Sequence, residues 1–130
     1  MRLFIDTDIL LDVLLERKGH FDESARVLDW AEAHPGQCAV SWPGLANIHY
    51  LSRDGAWEFI EELTDFCVVP GAGTTEMKRA LGLGLKDLGD AMQVSTALLF
   101  GAQLIVTRNL SDYKRSPIKA VPPGDPALFL

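Results

Sequence analysis

The chain has 130 residues, 48% of them hydrophobic, and 12 Lys and Arg against 18 Asp and Glu give a net charge of −6. That length suits one domain that buries its own core without staples, and no stretch approaches the roughly 18 uninterrupted apolar residues of a membrane span. The acidic balance excludes nucleic-acid binding through a general basic surface, and Asp6 interrupts the N-terminal apolar run before a signal peptide forms, so a cytoplasmic protein is expected.

Leu3 to Ile5 reads as a strand that runs straight into Asp6-Thr7-Asp8. A short helix is predicted from Ile9 to Arg17 and a longer one from His20 to His34, closed by Pro35-Gly36. Gln37 to Ser41 is the second strand, and Ser41 with Pro43 supplies the cap and first-turn proline of a helix from Pro43 to Arg53. After the Asp54-Gly55 turn comes a helix from Ala56 to Thr64, then a third strand from Phe66 to Val69. Thr74 to Leu81 reads as a helix, Gly82-Leu83-Gly84 breaks it, and Asp87 to Phe100 is a strongly apolar helix. Leu104 to Val106 is the fourth strand, Ile118 to Val121 a candidate fifth, and Pro122 to Pro126 a rigid tail.

Strands alternating with helices imply an α/β fold, a three-layer α/β/α sandwich with a mainly parallel central sheet of four to five strands. One domain is expected over residues 1–130. Cys38 and Cys67 have no partner at metal or redox spacing and read as buried free thiols. The charge is uneven: residues 1–77 carry 5 basic and 14 acidic side chains, and residues 78–130 carry 7 basic and 4 acidic.

Three acids sit where strands end or helices begin: Asp6 after the first strand, Asp90 in the first turn of the apolar helix, and Asp112 after the fourth strand. In a parallel sheet Asp6 and Asp112 leave by the same edge, where ligands of open α/β sheets gather. Two carboxylates about 4 Å apart repel by about 4 kcal/mol at an effective dielectric of about 20, so such a cluster calls for a cation. All-oxygen ligands suit Mg²⁺ or Mn²⁺, and that chemistry fits metal-assisted attack of water on a phosphodiester. Each acid also has a plainer reading: Asp8 and Asp87 as helix N-caps, Asp90 as a partner of the helix dipole, Asp112 as a turn residue.

Four segments in series resemble the PIN domain family: Leu3 to Asp12, Ser41 to Leu51, Lys86 to Gln93, and Ile105 to Tyr113. The resemblance implies a Mg²⁺- or Mn²⁺-dependent ribonuclease, often the toxin of a VapC-type toxin-antitoxin pair, with RNA as substrate, an antitoxin protein as partner and a homodimeric state. Asp6, Asp90 and Asp112 match the family's metal-site acids, and Thr107 matches a hydroxyl residue beside that site. Two positions depart from the pattern. Asn47 stands where many members carry glutamate, and Gly89 where an acid is common. An amide oxygen can ligate a metal but brings no charge and cannot act as a general base. Asp8 stands where the family more often has asparagine, which places it as a fourth metal-site acid offsetting Asn47.

Lys78, Arg79, Lys86, Arg108, Lys114 and Arg115 lie near Asp90 or Asp112 in sequence and are candidates for holding phosphates at a cleft rim. Trp30, Trp42 and Trp57 read as packing or interface residues, and His20, His34 and His49 show no ligand spacing. Two rival functions remain. One is a PIN-like module that no longer cuts and receives an antitoxin helix in an apolar groove. The other is a haloacid-dehalogenase-type phosphatase using Asp6 and Asp8, for which the 23 residues after Thr107 leave too little room for the remaining motifs.

Overall fold

The computed structural model describes residues 1–129. Strands β1 (Leu3–Ile5), β2 (Cys38–Ala39), β3 (Cys67–Val68), β4 (Leu104–Val106) and β5 (Lys119–Val121) form one sheet in the order β3-β2-β1-β4-β5, every pair parallel. A parallel sheet covered on both faces needs continuous apolar strands rather than alternating ones. Leu3-Phe4-Ile5 meets that demand: Leu3 and Ile5 enter the core on one face and Phe4 the core on the other, all fully buried.

Helices α1 (Thr7–Leu14), α2 (Phe21–Ala33), α3 (Trp42–Ser52) and α4 (Ala56–Leu63) cover the first face, sending in Ile9, Leu10, Val27, Ile48 and Leu63. On the second face, α6 (Leu88–Phe100) packs Val94, Ala97 and Phe100 over Phe4, Ala39 and Ile105, and α5 (Thr74–Leu81) lies along α6. The expected three-layer architecture is therefore what forms, with five strands. Among the described residues no helix is long and apolar enough to cross a membrane. Cys38 and Cys67 are buried and unbridged, their thiols pushed up to about 12 by burial.

Two expectations need correction. Helix α1 starts two residues earlier and ends three residues earlier than the pattern predicts, because Asp6 takes the N-cap position, where its backbone carbonyl accepts the Ile9 N–H at 3.1 Å while its side chain caps nothing. It ends as the chain turns through Glu16, whose φ is +49°. Asp8 is therefore a first-turn residue and not a cap. The proline-rich tail turns back on the fold, so that Leu128 is buried in the first core and Phe129 stacks on Trp30.

The strand order decides where a ligand site can form. The chain leaves β1 for helices on one face and arrives at β4 from helices on the other, so the connections diverge between these two neighbours. Ile5 pairs with Val106, and the Asp6 N–H bonds the Val106 carbonyl at 3.0 Å. Asp6 and Thr107 thus emerge side by side at the carboxyl edge.

Candidate functional site

Asp6 is only 5% exposed, and both of its oxygens are held from behind. Gln93 Nε2 donates to Oδ1 at 2.5 Å and Thr107 Oγ1 donates to Oδ2 at 2.7 Å. Neither donor is free to turn. Gln93 Nε2 also donates to the Tyr113 hydroxyl at 2.9 Å while its Oε1 accepts from Thr7 Oγ1 at 3.1 Å, and Thr107 Oγ1 accepts the Asn109 N–H at 3.0 Å. A carboxylate has about four lone-pair sites, so Asp6 keeps capacity for a ligand on its open side.

In front of Asp6 lies a cleft of about 270 Å³ that also receives Asp8, Asn47, Asp87 and Asp90. Each element is brought there by a local cause. Ser41 caps α3 by accepting the Gly44 N–H at 3.0 Å, as the sequence predicted. Gly44 lets α3 close on the cleft, since a Cβ there would lie 2.5 Å from Thr7 Oγ1 and 2.7 Å from Ser41 Oγ. Asp87 caps α6 by accepting the Asp90 N–H at 2.9 Å, again as predicted, which fixes the first turn that carries Asp90. A Cβ at position 89 would lie 2.9 Å from the capping Asp87 oxygen, so an acid there would press on this cap.

The cleft is short of positive charge. Burial, and then the charges of Asp87, Asp112 and Asp6, push Asp90 up to about 6, with a hydrogen bond from Tyr113 pulling the other way. Burial and the charge of Asp6 push Asp8 up to about 7. One Asp8 oxygen accepts the Arg108 N–H at 3.2 Å and the Asn109 side-chain amide at 2.9 Å, whereas its other oxygen is buried with no hydrogen-bond partner among the described residues. A buried carboxylate oxygen left without a donor is disfavoured unless something outside the chain meets it.

Asp112 stands apart from this group. It is exposed on a short 3₁₀ helix, Leu110–Tyr113, and lines a second cavity of about 450 Å³ that shares Asp87 and Asp90 with the first. The structure therefore gathers Asp6, Asp8, Asn47 and Asp90 in one cleft, sets Thr107 behind Asp6, and leaves Asp112 on the far side of Asp90. Among the described residues no three Asp, Glu, His or Cys side chains close around a common point. A divalent ion held here would therefore have to fill most of its shell with water or substrate oxygens, as hard cations bound by one or two carboxylates do. The all-oxygen donors and the partnerless Asp8 oxygen fit a hard divalent cation.

Of the basic candidates, Arg108 is spent elsewhere, in a two-pronged ion pair with Asp12. Lys86, Lys114 and Arg115 line the second cavity. Trp42 and Trp57 are 76% and 72% exposed and flank an apolar groove on α3 and α4. Sequence reasoning missed Gln93 as a holder of Asp6 and Tyr113 as the hydroxyl that in turn fixes Gln93. A signal existed for the first: Gln93 follows Asp90 by three residues, on the same side of an otherwise apolar helix.

Among solved structures, a toxin-antitoxin complex from Klebsiella pneumoniae is similar to the chain at a TM-score of 0.70 and 26% identity, covering 95% of this chain and 98% of that one. VapBC2 from Rickettsia felis, bound to a DNA fragment from its promoter, is similar at a TM-score of 0.69 and 15% identity over 94% and 98%. FitAcB from Neisseria gonorrhoeae is similar at 0.65 and 12% over 93% and 97%, and these last two likenesses speak for the fold alone. No curated protein matches the chain. The family model described as PIN domain matches residues 2–111, and the chain belongs to that family.

Proposed function

We propose that this chain is a divalent-metal-dependent ribonuclease and the toxin of a toxin-antitoxin pair. The observation that carries the reading is the set of uncompensated carboxylates at the β1/β4 edge, above all the buried Asp8 oxygen with no partner. Asp6 and Asp90 would hold the ion directly, with Asp8 and Asp112 on either side, and Mg²⁺ or Mn²⁺ would supply Lewis acidity at a phosphodiester and a more acidic attacking water. Gln93 and Thr107 orient Asp6 so that its remaining lone pairs face the cleft. Asn47, which lines the same cleft, offers an amide oxygen to the ion or to a bound water and takes no proton. The antitoxin partner rests on the likeness to the Klebsiella complex, and a homodimer is the assembly that family membership favours. The inactive-module reading is disfavoured because Asn47 and Gly89 still leave four carboxylates facing the cleft.

The test is cleavage of mixed RNA with Mg²⁺ or Mn²⁺, with chelator, and with Asp90→Asn. Cleavage is expected to need the ion and to fall by about a hundredfold or more in the variant, the scale of a lost metal contribution of several kcal/mol. Chelator-resistant cleavage that the variant retains overturns the mechanism. Expression that fails to arrest growth, or arrest that Asp6→Asn leaves intact, overturns the toxin assignment.

A further inference from the structure

We infer that the cavity beside the acid cleft is a phosphate subsite for the RNA strand, with Lys86, Lys114 and Arg115 receiving a phosphodiester next to the one being cut. This rests on the nuclease reading above and extends it to a binding site of its own. The cavity, about 450 Å³, is walled by these three cations, by Ser111, and by Asp90 and Asp112. It adjoins the acid cleft through Asp87 and Asp90, which line both.

None of the three cations pairs with the carboxylates that share the wall: among the described residues the only ion pairs join Asp12 to Arg17 and Arg108. Opposite charges lining one cavity without closing on each other leave both sets available to a ligand. A phosphodiester alone would face three positive and three negative side chains. With a divalent ion on the acid side the balance turns positive, so strand binding here is coupled to the ion.

The cations are also pre-positioned. Lys86 follows Leu83 and Leu85, which pack against the second core, and Lys114 and Arg115 follow the buried Tyr113 and precede the buried Ile118. Arg115 Nη1 donates to the Gly84 carbonyl at 3.4 Å, joining the two segments. Ser116 closes the turn beyond by donating to the Ile118 carbonyl at 2.8 Å and accepting the Ile118 N–H at 3.0 Å. Holding the backbone while the charged ends stay exposed lowers the ordering cost of binding. It also answers the uneven charge: the acidic surface of residues 1–77 repels the strand, and the basic second half carries the place where it can lie.

The experiment measures binding of a short single-stranded 2′-O-methyl RNA by fluorescence anisotropy with Ca²⁺ present, across a salt series. Lys86→Ala, Lys114→Ala and Arg115→Ala are compared singly and together with the wild type and with Arg26→Ala on α2. Each lost phosphate contact reduces the salt slope by about 0.7, so the triple variant should lose about two units of slope and roughly a hundredfold in affinity near 0.1 M salt. Arg26→Ala should change neither. Unchanged slope in the triple variant, no binding by the wild type, or inorganic phosphate binding as tightly as the strand overturns the subsite. The two readings fail separately. Strand binding lost in the triple variant without any cleavage by the wild type removes the nuclease and keeps the subsite, whereas cleavage with salt-slope indifference to all three cations does the reverse.

Discussion

Asp8 and Asp12 stand one turn apart on α1, and both reach the segment from Thr107 to Asn109, yet the chain treats them in opposite ways. Asp12 is fully buried and fully answered: Arg108 donates from Nε and Nη2 at 2.7 and 2.8 Å, Ser24 Oγ donates at 2.8 Å, and Arg17 stands at 3.6 Å. Asp8 meets a backbone N–H and an amide on one oxygen and nothing on the other. A carboxylate whose charge is cancelled within the fold joins α1, α2 and the β4 edge. One whose charge is left open is disfavoured by the fold and is available to a ligand.

Breaking the answered side has the largest expected effect on stability. Asp12→Ala strands Arg108 and the Ser24 hydroxyl and should cost about 3 kcal/mol, within the range for removing one partner of a buried pair. Urea denaturation reads it, and a loss under about 1 kcal/mol would show the pair to be incidental. Changing both partners, Asp12→Leu with Arg108→Leu, should cost less than the single change, since no unpaired charge is left behind.

On the open side the effects reverse. Asp90→Asn removes a carboxylate already held up near 6 by burial and by its acidic neighbours, so its urea midpoint should hold or rise while cleavage collapses. A midpoint that falls with activity would mean that Asp90 serves the fold. Between the two extremes lies Gln93, which holds Asp6 from behind through Nε2. Gln93→Leu should weaken Mn²⁺ binding by about 10- to 100-fold, the scale for partners behind a metal ligand. Mn²⁺ titration followed by electron paramagnetic resonance measures this apart from activity, and an unchanged affinity would demote Gln93 to packing.

The same contrast explains what the sequence discloses and what it hides. Asp6 at the end of an apolar run, Ser41 before Trp42-Pro43, and Asp87 before Asp90 are local signals, because each residue acts within three or four positions of itself. The sheet follows from the alternation of such segments. Gln93 holding Asp6 and Arg108 answering Asp12 are contacts across 87 and 96 positions. No periodicity encodes them. Arg108 is the clearest case: among six basic residues near the acids it reads as a phosphate holder, and only its distance to Asp12 shows the charge to be committed. The reading of Asp8 as a cap fails for a different reason: Asp6 and Asp8 are the same residue type, so the preference does not choose between them, and strand pairing places the first turn directly after Asp6.

The smallest expected effect returns to Asp8 and depends on pH. Its pKa is raised from 3.8 to about 7 by burial and by Asp6, so between those values the folded protein holds a proton that the unfolded chain has released. Stability from that proton is greatest at low pH and is lost as pH rises to 7, with no further loss above it. Asp8→Asn has no such proton to lose. It should therefore gain on the wild type across this window, by about 1 kcal/mol once the roughly 4 kcal/mol of a fully buried shift of this size is discounted for solvent at a half-buried carboxylate, seen as urea midpoints that converge at acid pH and separate at pH 8. Mg²⁺ added at pH 8 should close the gap by stabilising the wild type, because the ion supplies the charge that Asp8 lacks. Were Mg²⁺ affinity the same in both proteins, Asp8 would not be the acid that makes up for Asn47, and its open oxygen would be a cost borne by the fold without a ligand to relieve it.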